Sequence, residues 1–207
     1  MRPRRWDADR QAQAKQLGAT VVNLRDVTLS KAVRQVVKLT EDAGRRQERF
    51  DDLARQSYVM ELIDGGSILD VGVARGVFLN GCALSGRFDR LVGVDIDDYQ
   101  PLRLGDWDMQ FRDVCDLTFP DASFDTVTAM EIVEHLHDNK VDDGIAQIRR
   151  VATRQLFTVP FCEQPLGKFH RQAFDAERLA TQFPDGRFTV LVKSHRGTPW
   201  VLIEESK

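Results

Sequence analysis

Three aspartates and a run of small residues are the first places in this sequence where chemistry could sit. Residues 67–79 read Ser-Ile-Leu-Asp-Val-Gly-Val-Ala-Arg-Gly-Val-Phe-Leu. This is a short apolar strand with Asp70 at its end, a turn through Gly72, Ala74 and Gly76, and then a helix. Such a turn brings backbone N–H groups close to a ligand that carries a carboxylate or phosphate. Asp95 ends the next strand, 19 residues past Gly76. A carboxylate there can accept hydrogen bonds from both hydroxyls of a ribose. Asp113 follows a third strand in Phe111-Arg112-Asp113-Val114. It could accept from an adenine amino group, while the Val114 N–H donates to a ring nitrogen. The glycine spacing narrows the choice. A dinucleotide fold asks for G-x-G-x-x-G. Here Gly72 and Gly76 stand four apart and Val77 fills the third glycine position, which disfavours a nicotinamide-linked enzyme.

A second group lies further on. Glu131, Glu134 and His135, read on a helix, fall at i, i+3 and i+4 and share one face. His170 follows the fifth strand of the glycine-turn unit in Gly167-Lys168-Phe169-His170-Arg171. Two carboxylates and two imidazoles could hold an octahedral divalent cation, manganese or magnesium, with positions open for a substrate. A cation there could bind vicinal hydroxyls and lower the pKa of one of them. The plainer alternative needs no metal: His135 or His170 lines a substrate pocket or serves as a base. His137 and His195 are expected in solvated loops.

These residues need a scaffold, and the apolar pattern supplies one. Residues 30–40 read as a helix with Val33, Val36 and Val37 on one face, and residues 46–63 as a second. Residues 19–24 are a candidate short strand; the rest of 1–27 has no clear pattern. From residue 64 strands and helices alternate. Strands are expected at 68–71, 90–95, 109–112, 124–130 and 155–159. Helices are expected at 77–84 and in the stretch running on from residue 130 through 151. Asp175 is a plausible N-cap for a helix over 176–183. Strands at 188–193 and 200–204 close the chain as a hairpin. Alternation of this kind gives a mostly parallel, Rossmann-like α/β sheet with helices on both faces. Ligands of such sheets bind beyond the carboxyl ends of the strands. The chain is expected to be one compact domain, with residues 1–63 a helical cap that shapes the substrate site and 64–207 the core.

Composition bounds the rest. The 207 residues are 42% hydrophobic and 29% charged, ordinary for a soluble protein. No run approaches the roughly 18 apolar residues of a membrane span. No apolar stretch follows Met1-Arg2-Pro3-Arg4-Arg5-Trp6, so no secretory signal is expected. Cys82, Cys115 and Cys162 are too widely spaced for a disulfide framework or a thiolate zinc site, which points to a reducing cytoplasm. Charge is uneven: residues 1–60 carry a net +5 and residues 61–207 a net −8. An acidic core suits a cationic ligand, and a basic leader suits an anionic one, although a solvated helical face explains the leader as well.

Two longer stretches carry a family resemblance. Residues 113–125, Asp-Val-Cys-Asp-Leu-Thr-Phe-Pro-Asp-Ala-Ser-Phe-Asp, resemble the G-D-A-x-x-L-P-F-P-D-x-S-F-D segment of class I S-adenosylmethionine-dependent methyltransferases. Residues 130–136, Met-Glu-Ile-Val-Glu-His-Leu, are similar to that family's E-V-x-E-H-L segment. With the glycine turn and Asp95, four motifs stand in the family's order over about residues 60–183. The resemblance implies a seven-stranded sheet whose last strand is antiparallel, and S-adenosylmethionine as cofactor. It places Gly72, Ala74 and Gly76 against the methionine part, Asp70 near the amino group, Asp95 at the ribose and Asp113 with Val114 at the adenine, with Ile96 a further cofactor contact. The Glu131, Glu134, His135 and His170 pattern resembles the metal site of small-RNA 3′-terminal 2′-O-methyltransferases. Ala74 stands where the family has a glycine, and Arg150-Val151-Ala152-Thr153-Arg154 replaces its usual L-K-P-G-G turn. The expected activity is methyl transfer to oxygen or nitrogen of a small-molecule acceptor. Metal-assisted transfer to an RNA 3′ end is the alternative, although no basic, aromatic-rich stripe suits nucleic acid. A cofactor-binding regulatory protein without turnover is the third.

Overall fold

The computed structural model describes residues 6–45, 48–194 and 197–207. Among the described residues, six α-helices surround one sheet. The helices are α1 (Ala8–Gln16), α2 (Lys31–Asp42), α3 (Phe50–Glu61), α4 (Val77–Ser85), α5 (Val141–Val151) and α6 (Ala176–Gln182). The strands are β1 (Thr20–Asn23), β2 (Ser67–Val71), β3 (Arg90–Asp95), β4 (Asp108–Phe111), β5 (Phe124–Met130), β6 (Ala152–Pro160), β7 (Arg187–Val192) and β8 (Trp200–Ser206). Their spatial order is β1-β7-β8-β6-β5-β2-β3-β4. Only β8 runs antiparallel to its neighbours, β6 and β7.

The central strands are mostly apolar and largely buried because both their faces are covered. Side chains alternate between two cores. Leu69, Phe157, Val190 and Val201 pack with Ile145, Ile148 and Leu179 of α5 and α6 on one face. Ile68, Leu156, Leu191 and Leu202 pack with Val33, Ala54 and Phe78 of α2, α3 and α4 on the other. Helix ends follow their caps. Ser30 Oγ accepts from the Val33 N–H at 3.1 Å, and Asp175 Oδ1 accepts from the Arg178 N–H at 2.9 Å.

The structure corrects the sequence reading in three places. The sheet has eight strands, not seven, because β1 pairs in parallel with the edge strand β7. Strand β1 lies within the candidate strand at 19–24, whereas helix α1 occupies a stretch that showed no clear pattern, and Arg10 ties α1 to the core by donating to the Cys162 carbonyl at 2.9 Å. The helix expected to run on from residue 130 starts only at Val141; before it lie a loop and two 3-10 turns, Val133–His135 and Asp138–Lys140. Glu131, Glu134 and His135 therefore share no helix face. Helix α3 starts at Phe50, and Arg46 and His195 lie outside the described residues. The missing glycine turn has a simple cause: α5 ends at Val151 and β6 starts at Ala152, so no turn intervenes.

Candidate active site

The carboxyl ends of β2, β3, β4 and β5 open onto a cleft of about 830 Å³. Its floor is the turn after β2. Positive φ angles at three alternate positions, Gly72 (82°), Ala74 (46°) and Gly76 (76°), fold the turn tightly. A Cβ added at Gly72 would also lie 1.9 Å from Ile132 Cδ1, so the Ile132 side chain would have to move. Gly76 caps α4 and packs against Pro101 and Trp107 below the cleft wall.

Of the residues expected to hold a cofactor, Asp70, Gly72, Ala74, Asp95, Ile96, Asp113 and Val114 all line this cleft. Asp95 is nearly buried. One of its oxygens accepts from the Ala74 N–H at 2.9 Å and the other from the Asp97 N–H at 3.1 Å. Each carboxylate oxygen has a second lone pair, so both remain able to receive a hydroxyl. Asp113 is exposed and accepts from the Cys115 N–H at 2.9 Å, which shapes the turn carrying Val114. Asp70 is buried, with Thr128 Oγ1 donating to it at 2.6 Å. Burial is the main cause that pushes its pKa up to about 7, from an ordinary 3.8.

The opposite end of the cleft was not legible in the sequence. Glu48, Asp52, Arg55 and Gln56, on α3 and the segment before it, close it over. Arg55 is 6% exposed. Its Nη1 lies 3.1 Å from Glu131 Oε1, and its guanidinium stacks 4.2 Å from the Trp200 ring centroid. Its Nε and the Gln56 Oε1 are buried without a hydrogen-bond partner. An arginine beside an apolar helix stripe looks like any solvated cation until the helix is folded over the cleft.

The metal-ligating candidates separate. Glu131 sits at φ 61° and is drawn away from the others by Arg55, by Thr158 Oγ1 at 3.3 Å and by Trp200 Nε1 at 2.5 Å. Glu134, His135 and His170 come together, each offering a ligand atom within 4.8 Å of the others. The two imidazole rings meet edge to face at 4.9 Å. Glu134 is completely buried, and neither of its carboxylate oxygens has a hydrogen-bond partner. Burial, then the charge of Glu131, push its pKa well above the carboxylate range, while burial pulls His135 down. An orphaned buried carboxyl facing two imidazoles is what a divalent cation would satisfy. Three of the four expected ligands thus fit such an ion. His135 lines the cleft; Glu134 and His170 stand behind it, and the exposed Phe169 forms the rim. His137 is exposed.

Among the described residues no helix is long and apolar enough to cross a membrane. Residues 69–155 match the family model of a methyltransferase domain. No curated protein matches the chain. A SAM-dependent methyltransferase from Archaeoglobus fulgidus is similar in structure, with a TM-score of 0.61 at 16% identity, covering 82% of this chain and 98% of that one. The [4+2]-cyclase SpnF has a TM-score of 0.59 at 17% identity, covering 91% and 97%. The methyltransferase domain of bacterial CtHen1 has a TM-score of 0.57 at 16% identity, covering 76% and 98%. These likenesses speak to the fold. Residues 69–155 thus match a methyltransferase-domain model, and the fold around them is similar to that of SAM-dependent methyltransferases of known structure.

Proposed function

We propose that this chain transfers the methyl group of S-adenosylmethionine to an oxygen or nitrogen of a small-molecule acceptor. The observation that carries the reading is a single cleft that gathers the carboxylates of three successive strand ends, Asp70, Asp95 and Asp113, around one glycine turn. The nucleoside would lie at the Asp95 and Asp113 end. The methionyl end would then reach toward α3, where Arg55 and Gln56 line the cleft and could meet its carboxylate and its ammonium. Asp70 lies in the same wall, and its negative form suits that ammonium.

Methyl transfer from a sulfonium is an in-line displacement with a neutral leaving group. The protein's contribution is alignment and exclusion of water. The acceptor would enter past His135 and Phe169 at the rim. An acceptor hydroxyl must lose its proton, and His135, whose pKa partial burial lowers, or His170 can take it. With a manganese or magnesium ion bound, Glu134, His135 and His170 would instead be its ligands, and the ion rather than an imidazole would activate the acceptor oxygen.

The test is transfer of a labelled methyl group from S-adenosylmethionine to fractions of a small-metabolite extract. Label is expected in low-mass, nuclease-resistant product. Label in a nuclease-sensitive polymer would overturn the small-molecule assignment. No label, with the cofactor bound but intact, would favour a regulatory protein. The three-residue group favours one second reading, metal-assisted transfer to the 2′-oxygen at an RNA 3′ end. A manganese titration with nuclease-sensitive substrate separates the two.

A further inference from the structure

Two histidines face the buried Glu134, and each has one ring nitrogen occupied. His135 Nδ1 lies 3.1 Å from the Phe169 carbonyl oxygen. A carbonyl only accepts, so that nitrogen carries the proton and Nε2 keeps its lone pair. His170 Nδ1 lies 2.5 Å from Glu163 Oε2. The same carboxylate oxygen accepts from the Gly167 N–H at 3.1 Å, and the His170 N–H returns to the Gly167 carbonyl at 3.0 Å. The ring is pressed onto this turn: a Cβ at Gly167 would stand 2.9 Å from His170 Nδ1. Both partners are mostly buried, with side chains 20% and 14% exposed. The turn is in turn anchored to Glu134, whose carbonyl accepts from the Arg171 N–H at 2.7 Å and the Gln172 N–H at 3.1 Å.

We propose that Glu163 is a positioning residue that fixes His170 as the Nδ1-protonated tautomer, so that its Nε2 lone pair joins those of His135 Nε2 and the Glu134 carboxylate. This rests on reading Glu134, His135 and His170 as part of the functional site, and it assigns a role to a residue that makes no contact with the cleft itself. A carboxylate behind an imidazole sets both tautomer and ring direction, and removing it typically lowers metal affinity by about 10- to 100-fold. Gly167 serves the same end by leaving room for the ring. Neither Glu163 nor Gly167 stood out in the sequence, because the seven-residue separation of Glu163 and His170 matches no metal or catalytic spacing.

Nitrogen-15 spectra of the full-length protein, metal-free at neutral pH, report the tautomer directly. The wild-type spectrum should show His170 protonated at Nδ1, and Glu163→Ala should move the proton to Nε2. Glu163→Gln, whose amide oxygen still accepts, should retain the wild-type tautomer. In calorimetry with manganese alone, Glu163→Ala should bind at least about tenfold more weakly, with S-adenosylhomocysteine affinity held within about twofold. Gly167→Ala should weaken manganese binding in the same direction by displacing the ring. A wild-type His170 already protonated at Nε2, or a tautomer indifferent to Glu163→Ala, would overturn the proposal. A tautomer that switches in a protein taking up no manganese would support the positioning role and remove the metal reading alone.

Discussion

Ala74 holds a φ of 46° where a glycine would be unstrained. An alanine in the left-handed region costs on the order of 1 kcal/mol. Replacing it by glycine relieves that strain and returns some freedom to the unfolded chain. Ala74→Gly should therefore leave stability unchanged or raise the melting temperature by up to about 4 °C, read by thermal denaturation. A clear loss would mean that the alanine methyl packs rather than strains. Arg55 is a sharper case. Arg55→Gln should weaken S-adenosylhomocysteine binding by about tenfold or more while leaving 5′-methylthioadenosine, which lacks the amino-acid end, nearly unaffected. An equal loss for both would place Arg55 in the scaffold, holding Glu131 and Trp200. The two residues show what a sequence exposes. Asp70 and Asp95 were legible because each ends an apolar strand run, and Asp113 because it opens the stretch 113–125 that resembles a family segment. Arg55 was not, because its burial is created by α3 lying over the turn, a tertiary event with no local signature.

At the scale of elements, the loop after β3 depends on one side chain of α4. Asn80 is fully buried; its Oδ1 accepts from Trp107 Nε1 at 2.9 Å and the Leu104 N–H at 2.8 Å, and its amide donates to the Leu102 carbonyl at 2.6 Å. Removing it takes the partner from one buried indole N–H and from two part-buried backbone groups. Asn80→Ala should cost about 2–4 kcal/mol in denaturant unfolding, and should loosen the wall that carries Ile96 and Tyr99. A cost under about 1 kcal/mol would show that water replaces it. The elements from 64 onward were readable because a buried parallel strand is a short apolar run and a helix a longer periodic one. The stretch 131–140 was misread for a physical reason. Val133, Leu136 and Val141 also fit a helical stripe, yet Glu131 takes a left-handed φ and the chain turns twice before α5 begins. Strand β1 was visible as Val21-Val22, but nothing local says which edge a four-residue strand will join.

For the whole molecule, the charge asymmetry of the sequence has a structural counterpart in buried acids at the cleft. Asp70, Glu131 and Glu134 all carry raised pKa values, with burial as the leading cause. A carboxyl raised from 3.8 to about 7 keeps its proton in the native state after the unfolded chain has lost it. Its contribution to stability therefore falls as pH rises from about 4 to about 7, and is constant above that. Asp70→Asn cannot titrate. Urea midpoints measured over this range should fall more steeply for the wild type than for the variant, and parallel curves would contradict the assignment. The same burial predicts that a ligand ammonium placed beside Asp70 expels its proton near neutral pH.

Calorimetric titration of S-adenosylhomocysteine into the wild-type protein and Asp95→Asn, at one pH, tests the cofactor cleft most directly. One site per chain with a dissociation constant on the order of micromolar, weakened about tenfold or more by the substitution, is the predicted result. No binding by the wild type at millimolar ligand, or equal affinity of the two proteins, would contradict it.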